Sequence, residues 1–177
     1  MARNYIPRTR QWEIDNLLDQ IRLLTDKNYP DDGLIEIVRA YIPDVSIVEH
    51  DFDGDRSTRG AIFKKSKEFE HNIIAIQKKL SKQGKTFTLA HEFGHYCLDH
   101  TGDANFMIDS PKYDDSERMQ KEAEAQYFAA SLLMPTDKFM ELAMFLDNQQ
   151  LARRFGVSES AVRVRKTWLY GRREEAL

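Results

Sequence analysis

The chain has 177 residues, of which 41% are hydrophobic and 31% charged, and a formal net charge of −3 at pH 7. That length suits one domain, or a domain with a small appendage, and the charge makes no whole-chain case for nucleic acid or a membrane surface. No apolar run approaches the roughly 18 residues of a bilayer span, the N-terminus lacks a signal-peptide core, and a single cysteine, Cys97, rules out an intrachain disulfide; a cytoplasmic protein is expected.

From Trp12 to Leu24 the apolar residues Ile14, Leu17, Leu18, Ile21, Leu23 and Leu24 recur at helical spacing, with Asp15, Asp19 and Arg22 outside. Pro30-Asp-Asp-Gly33 breaks the chain before a second helix, Leu34 to Tyr41, which Pro43 ends. The period then changes. Val45–Glu49, Gly60–Lys64 and Asn72–Gln77 are short and β-branched, and read as three strands of a small antiparallel or mixed sheet. The stretch Asp51-Phe-Asp53-Gly-Asp55 starts like a calcium loop, but its glycine falls at position 4 and Ile62 stands where the bidentate Glu belongs. A hairpin turn with solvated acids is expected there. The strand at 72–77 is either an interior strand or an edge able to hold an extended peptide; the lysine-rich stretch Lys78–Lys85 reads as a solvated loop.

Next comes His91-Glu92-Phe93-Gly94-His95. On a helix, histidines four apart project from one face and can grip one metal ion, while Glu92 can reach a water beside it. Thr86 is the expected cap and Gly102 the expected stop of this helix. Its other residues are apolar nearly all round, which places it at the centre of a domain. There, unpaired polar side chains cost about 1–3 kcal/mol each, so the His-Glu-His set calls for a partner such as a metal. Asp99, one turn after His95, is a candidate to orient that imidazole, although a solvated helix end is the simpler reading. The aperiodic run Thr101–Tyr113 is expected to form a loop beside the cleft.

Asp115 or Ser116 starts a further helix to about Met134, with an apolar stripe of Ala125, Phe128, Ala129, Leu132 and Leu133 and a stop at Pro135. A catalytic zinc needs a third protein ligand. The metzincin pattern is excluded, because Thr101 and Leu98 occupy the places of its third His and its Gly; His100, on a straight helix, points away. Glu122 and Glu124 are the alternatives. At about 100° per residue, Glu122 lies roughly 60° and Glu124 roughly 100° from the centre of the apolar stripe, so Glu122 faces the core better. Tyr96, Tyr113 and Tyr127 are all candidates to stabilise an oxyanion.

The run Phe87-Thr-Leu-Ala-His-Glu-Phe-Gly-His95, followed by Glu122-Ala-Glu-Ala-Gln-Tyr-Phe-Ala-Ala-Ser-Leu-Leu-Met-Pro135, resembles the ImmA/IrrE metallopeptidases. Their patterns are F-T-x-A-H-E-x-G-H and E-x-x-A-N-x-F-A-x-x-L-L-M-P. The resemblance covers both long helices; the first forty residues match little, and Gln126 stands where the family has Asn. It implies an α+β, zincin-like domain with the small sheet packed on helices. It also implies Zn²⁺ held by His91, His95 and Glu122, with Glu92 as the catalytic base of an endopeptidase. Members of the family come from mobile elements or stress-response loci, and many inactivate an XRE-type helix-turn-helix repressor. That repressor is the partner the resemblance implies.

After Pro135 a helix runs through Phe139, Leu142, Ala143 and Leu146. Leu151–Arg165 then resembles a helix-turn-helix, with Gly156 as the turn, Ser158 as the cap, and Ala161 and Val162 packing. Two units are expected: a peptidase domain, 1–135, and a helical extension, 136–177, packed on it. Residues 151–177 hold seven Arg or Lys against three Glu, and Arg153, Arg154, Arg163, Arg165 and Lys166 are the ones that would meet phosphates. Packing is the favoured role for this pair, so DNA binding is not expected and Arg163 and Arg165 should be dispensable for stability. The competing functions are a DNA-binding regulator with a sensory or structural zinc, and an anti-repressor that docks without cutting.

Overall fold

The structure, a computed structural model, describes residues 6–52, 58–101, 106–107 and 115–171. In chain order the elements are α1 (Arg8–Thr25), α2 (Leu34–Tyr41), β1 (Val45–His50), β2 (Gly60–Phe63), β3 (Asn72–Gln77), α3 (Lys82–Cys97), β4 (Phe106–Met107), α4 (Asp115–Leu133), α5 (Thr136–Ala143), α6 (Asn148–Phe155) and α7 (Glu159–Tyr170). This is an α+β fold, with helices packed on a small mixed sheet.

The sheet order is β1-β3-β2-β4. Strand β3 pairs in parallel with β1, Val45 opposite Asn72, and antiparallel with β2, Gly60 opposite Ile76. The strand at 72–77 is therefore interior. Its sequence agrees, since Ile74, Ala75 and Ile76 are all buried and a strand covered on both faces needs no polar alternation. Because β3 lies between β1 and β2, the segment joining those two strands is a crossover and not the expected hairpin; residues 53–57 of it lie outside the described residues. A fourth, two-residue strand in the stretch read as loop pairs with β2, Phe63 opposite Phe106. Gly102 and Tyr113 lie outside the described residues.

One apolar cluster joins α1 and α2 to the sheet, to α3 and α4, and onward to Phe139, Leu151, Phe155, Val157 and Val162. Helix α1 contributes Ile14, Leu18 and Ile21 to it, whereas Trp12, Leu23 and Leu24 are exposed, so the buried stripe is narrower than the sequence pattern implied. Helix α4 buries the whole predicted stripe, Ala125, Phe128, Ala129, Leu132 and Leu133.

Gly156 ends α6 in the left-handed region at φ 64°, and Ser158 caps α7 by accepting from the Ala161 N–H, as the sequence predicted. Arg165 corrects an expectation. It is not a surface cation but fully buried, with Nε donating to Met134 O at 3.2 Å, Nη1 to Ser131 Oγ at 2.9 Å and Nη2 to Thr136 Oγ1 at 2.9 Å. The guanidinium lies 5.9 Å from the Tyr127 ring centroid and so binds α7 to the α4–α5 junction. Among the described residues, no helix is long and apolar enough to cross a membrane.

Candidate metal centre

Helix α3 begins five residues earlier than Thr86. Ser81 is its cap, accepting from the Gly84 N–H at 3.1 Å, so the second half of the lysine-rich stretch is helical. The helix buries Thr88, Leu89, Ala90, Glu92, Phe93, Gly94 and His95 against the sheet and α4. Gly94 sets the closeness of that packing. A Cβ there would stand 3.0 Å from Phe128 Cδ1, and a bulkier residue would push α4 away. Phe93 and Phe128 meet edge to face, with ring centroids 5.7 Å apart.

The close approach of α4 brings Glu122 opposite the two histidines. His91 Nε2 lies 3.0 Å from His95 Nε2 and 3.1 Å from Glu122 Oε2, and His95 Nε2 lies 3.4 Å from Glu122 Oε1. Tetrahedral ligands bonded at about 2.0–2.1 Å to a zinc ion stand roughly 3.3–3.4 Å from one another, so the two imidazole nitrogens and the Glu122 carboxylate have nearly the spacing of one face of such a site. With neither Nε2 protonated, two lone pairs and the Glu122 carboxylate face one another, an arrangement that a bound cation relieves. The donor set fits a metal. The His95 side chain is 2% exposed and that of Glu122 37%, so the cluster is closed on one side and open on the other.

Electrostatics agree with a site short of positive charge. Burial alone would lower His91, but the Glu122 hydrogen bond and the charges of Glu92 and Glu122 raise it overall. In His95 burial wins and the pKa falls. Burial opposes ionisation of Glu122 too, yet its hydrogen bonds to His91 and His95 hold it well below the usual carboxylate range. Glu92 is 5% exposed, and burial pushes it up to about 7, with His91 opposing and Glu122 adding to the rise. Such a group takes up and releases a proton near neutrality.

Glu92 lies close to a residue the sequence reading missed. Gly60, the first residue of β2, lies so near that a Cβ there would come within 2.6 Å of both Glu92 Oε1 and Thr88 Cγ2. Only a strand that starts with glycine can lie across the carboxylate in this way; the signal was the glycine itself, at the mouth of a strand.

Other candidates are placed differently from expectation. Helix α3 stops at Cys97, and Asp99 turns outward at φ 55° to pair with Lys64. It does not orient His95. The group in contact with His95 Nδ1 is His100, which is buried with its own Nδ1 at 2.9 Å. Glu124, the other candidate ligand, faces Arg10 and His100 instead of the donor cluster. Tyr127 donates its hydroxyl to Asp15 and Tyr96 lies under Lys64, so both are engaged away from the cluster; Gln126 is exposed one turn after Glu122.

A profile of the peptidase family described as the IrrE N-terminal-like domain matches residues 42–167. Over 75 residues the chain is 35% identical to the radiation response metalloprotease IrrE of Deinococcus radiodurans, a stretch that covers 41% of this chain and 22% of that protein. The solved structure of a Mycobacterium tuberculosis transcriptional regulator is similar in fold, with a TM-score of 0.61 over 93% of this chain and 48% of that one, at 17% identity. The chain thus spans about half of the solved structure and a smaller part of the curated relative. The profile match takes in the whole sheet, α3 with its two histidines and α4 with Glu122, and on that ground the protein belongs to the family of IrrE N-terminal-like metallopeptidases.

Proposed function

We propose that this chain is a zinc-dependent endopeptidase in which His91, His95 and Glu122 hold the metal and Glu92 is the catalytic base. The observation that carries the reading is the convergence of three donor atoms from two helices, each within 4.8 Å of the others, with Glu92 buried beside them. Zinc, when bound, supplies a Lewis acid that polarises a scissile carbonyl and acidifies water. The chain does the proton work. Glu92 takes one proton from the attacking water as the new C–O bond forms, and gives it to the leaving amine as the C–N bond breaks. Its place beside the donor cluster suits both transfers, and the backbone of β2 at Gly60 lies close to its carboxylate.

The Glu122 side chain is 37% exposed, so the cluster can be reached from solvent on that side. The sequence resemblance to repressor-inactivating peptidases makes an XRE-type helix-turn-helix repressor the proposed substrate, with relief of repression as the outcome. The test is to incubate the purified protein and zinc with the repressor encoded beside its gene, and to repeat this with Glu92→Gln. Cleavage by the wild type alone supports the proposal. Relief of repression by both proteins, with no cut product, would show an anti-repressor that docks.

A further inference from the structure

Behind His95, on the side away from the donor cluster, a row of polar groups runs 114 residues back along the sequence to helix α1. It begins at the end of α3. Leu98 N–H donates to Gly94 O at 2.9 Å, Asp99 N–H to Tyr96 O at 3.2 Å and His100 N–H to His95 O at 3.0 Å, with Asp99 in the left-handed region. These are the bonds of a Schellman ending, which brings the third-last helical residue against the second residue beyond the cap. In most helices that contact is apolar. Here it is His95 against His100, Nδ1 to Nδ1 at 2.9 Å. The row continues with His100 Nε2 3.3 Å from Glu124 Oε2, and with Arg10 donating to that same oxygen from Nε at 2.9 Å and Nη2 at 2.7 Å. Gln120 Nε2 donates to Glu124 Oε1 at 3.0 Å. His95, His100 and Glu124 are each no more than 4% exposed.

We infer that His100 and Glu124, anchored by Arg10, are positioning residues that fix the tautomer and ring orientation of His95 so that its Nε2 lone pair faces the metal. The inference rests on the metal reading proposed above. The proton count supports it. Glu124 accepts from Arg10, so as a carboxylate it has an acceptor to offer His100, and His100 carries its proton on Nε2. Its Nδ1 is then a bare acceptor, and the contact with His95 requires the proton on His95 Nδ1. That leaves His95 Nε2 without a proton, as a metal ligand must be. With His100 protonated on Nδ1 instead, His95 would have to accept there and carry its proton on Nε2, pointing into the cluster. Metal-bound histidines commonly give their second N–H to a carboxylate or carbonyl. In this chain an imidazole is inserted between ligand and carboxylate. Glu122 and Glu124, two positions apart on α4, thus serve opposite nitrogens of one histidine.

The experiment compares the wild type with His100→Leu, which removes the acceptor, and His100→Asn, whose Oδ1 stands near the place of Nδ1 and still accepts. Zinc affinity is measured by chelator competition and the stability of the zinc-free proteins by urea unfolding. Zinc should bind about 10–100-fold more weakly to His100→Leu, the loss typical of removing such a partner, and His100→Asn should recover most of it. Nitrogen-15 NMR of the zinc-bound wild type should show His95 protonated on Nδ1 and His100 on Nε2; this readout stands even where a variant fails to fold. A proton on His100 Nδ1 instead of Nε2, or wild-type affinity in folded His100→Leu, would overturn the inference while leaving the metal reading intact. Equal losses in Leu and Asn that match their losses of zinc-free stability would reduce His100 to a packing residue. A wild type that binds no zinc removes the metal reading, and the inference with it.

Discussion

Replacing Arg165 by Ala tests the account of the C-terminal helices, because the sequence assigned this residue to the surface and the structure buries it. The substitution removes donors from Met134 O, Ser131 Oγ and Thr136 Oγ1 and leaves a void beside the Tyr127 ring. An unsatisfied buried acceptor costs about 1–3 kcal/mol. The Thr136 end is half-buried, so water recovers part of that loss. The two acceptors on buried residues, Met134 O and Ser131 Oγ, together account for about 2–6 kcal/mol, a large share of the roughly 5–15 kcal/mol that holds a domain together. With a denaturant slope of about 2 kcal/mol/M, the urea midpoint should fall by roughly 2 M. Arg165→Met, which keeps the aliphatic stem, separates the lost bonds from the lost packing and should recover only part of the stability. Arg163→Ala is the control, since Arg163 is exposed and its ion pair with Glu159 at 3.6 Å is a surface contact. It should stay within about 0.5 kcal/mol of the wild type. A midpoint for Arg165→Ala equal to that of the control would refute the reasoning. Loss of sequence-specific DNA binding without loss of stability would restore the phosphate-contact reading.

Four further outcomes are expected. Glu92→Gln should keep zinc and fold but lose cleavage by roughly 10²–10⁴-fold, measured on the protein substrate by single-turnover kinetics; undiminished cleavage would remove Glu92 from the chemistry. Glu122→Ala should abolish the thermal stabilisation by added zinc, which in the wild type reaches about 4 kcal/mol at a thousand times the dissociation constant. Glu124→Ala should lower the melting temperature and weaken zinc binding without abolishing it, and the reverse pattern would exchange the roles of the two acids. Gly60→Ala places a methyl group 2.6 Å from Glu92 Oε1 and Thr88 Cγ2, so it should cost about 1–3 kcal/mol from overpacking and lower activity well beyond that loss of fold; a fully active variant would mean that β2 does not hold the carboxylate.

The convergence of His91, His95 and Glu122, with Glu92 beside them, was legible because its information is local. His91 and His95 share a helical face by spacing alone, and Glu122 is separated from Glu124 by an angle on one wheel. The α4 stripe and the Gly156–Ser158 turn were readable for the same reason: each is a periodicity or a cap within a dozen residues. The strands were readable as strands, but their order was not. Nothing in Val45–Gln77 says that β3 lies between β1 and β2, because pairing partners are chosen by the whole fold and not by the strand that precedes. Arg165 failed for a related reason. Arginine is rarely buried, and only the arrival of α7 at the α4–α5 junction supplies three acceptors in one place.

The residues that support the metal centre were hidden by a different physics. His100 lies five positions after His95, the spacing of a Schellman contact, but that ending usually carries glycine in its left-handed position and here carries Asp99. With no glycine to mark the stop, the helix read as continuing to Gly102 and His100 was turned the wrong way. Ending α3 at Cys97 reverses that conclusion: the same residue that a longer helix would point away from the metal is folded back against His95. Arg10 completes the arrangement from the part of the chain with the weakest resemblance to the family. Its bonds to Glu124 tie helix α1 to a carboxylate on α4, and through His100 to His95 on α3. The first helix is therefore more than a packing element over the core. It supplies the positive charge that keeps Glu124 ionised, and an ionised Glu124 is what allows His100 to present its bare nitrogen to His95.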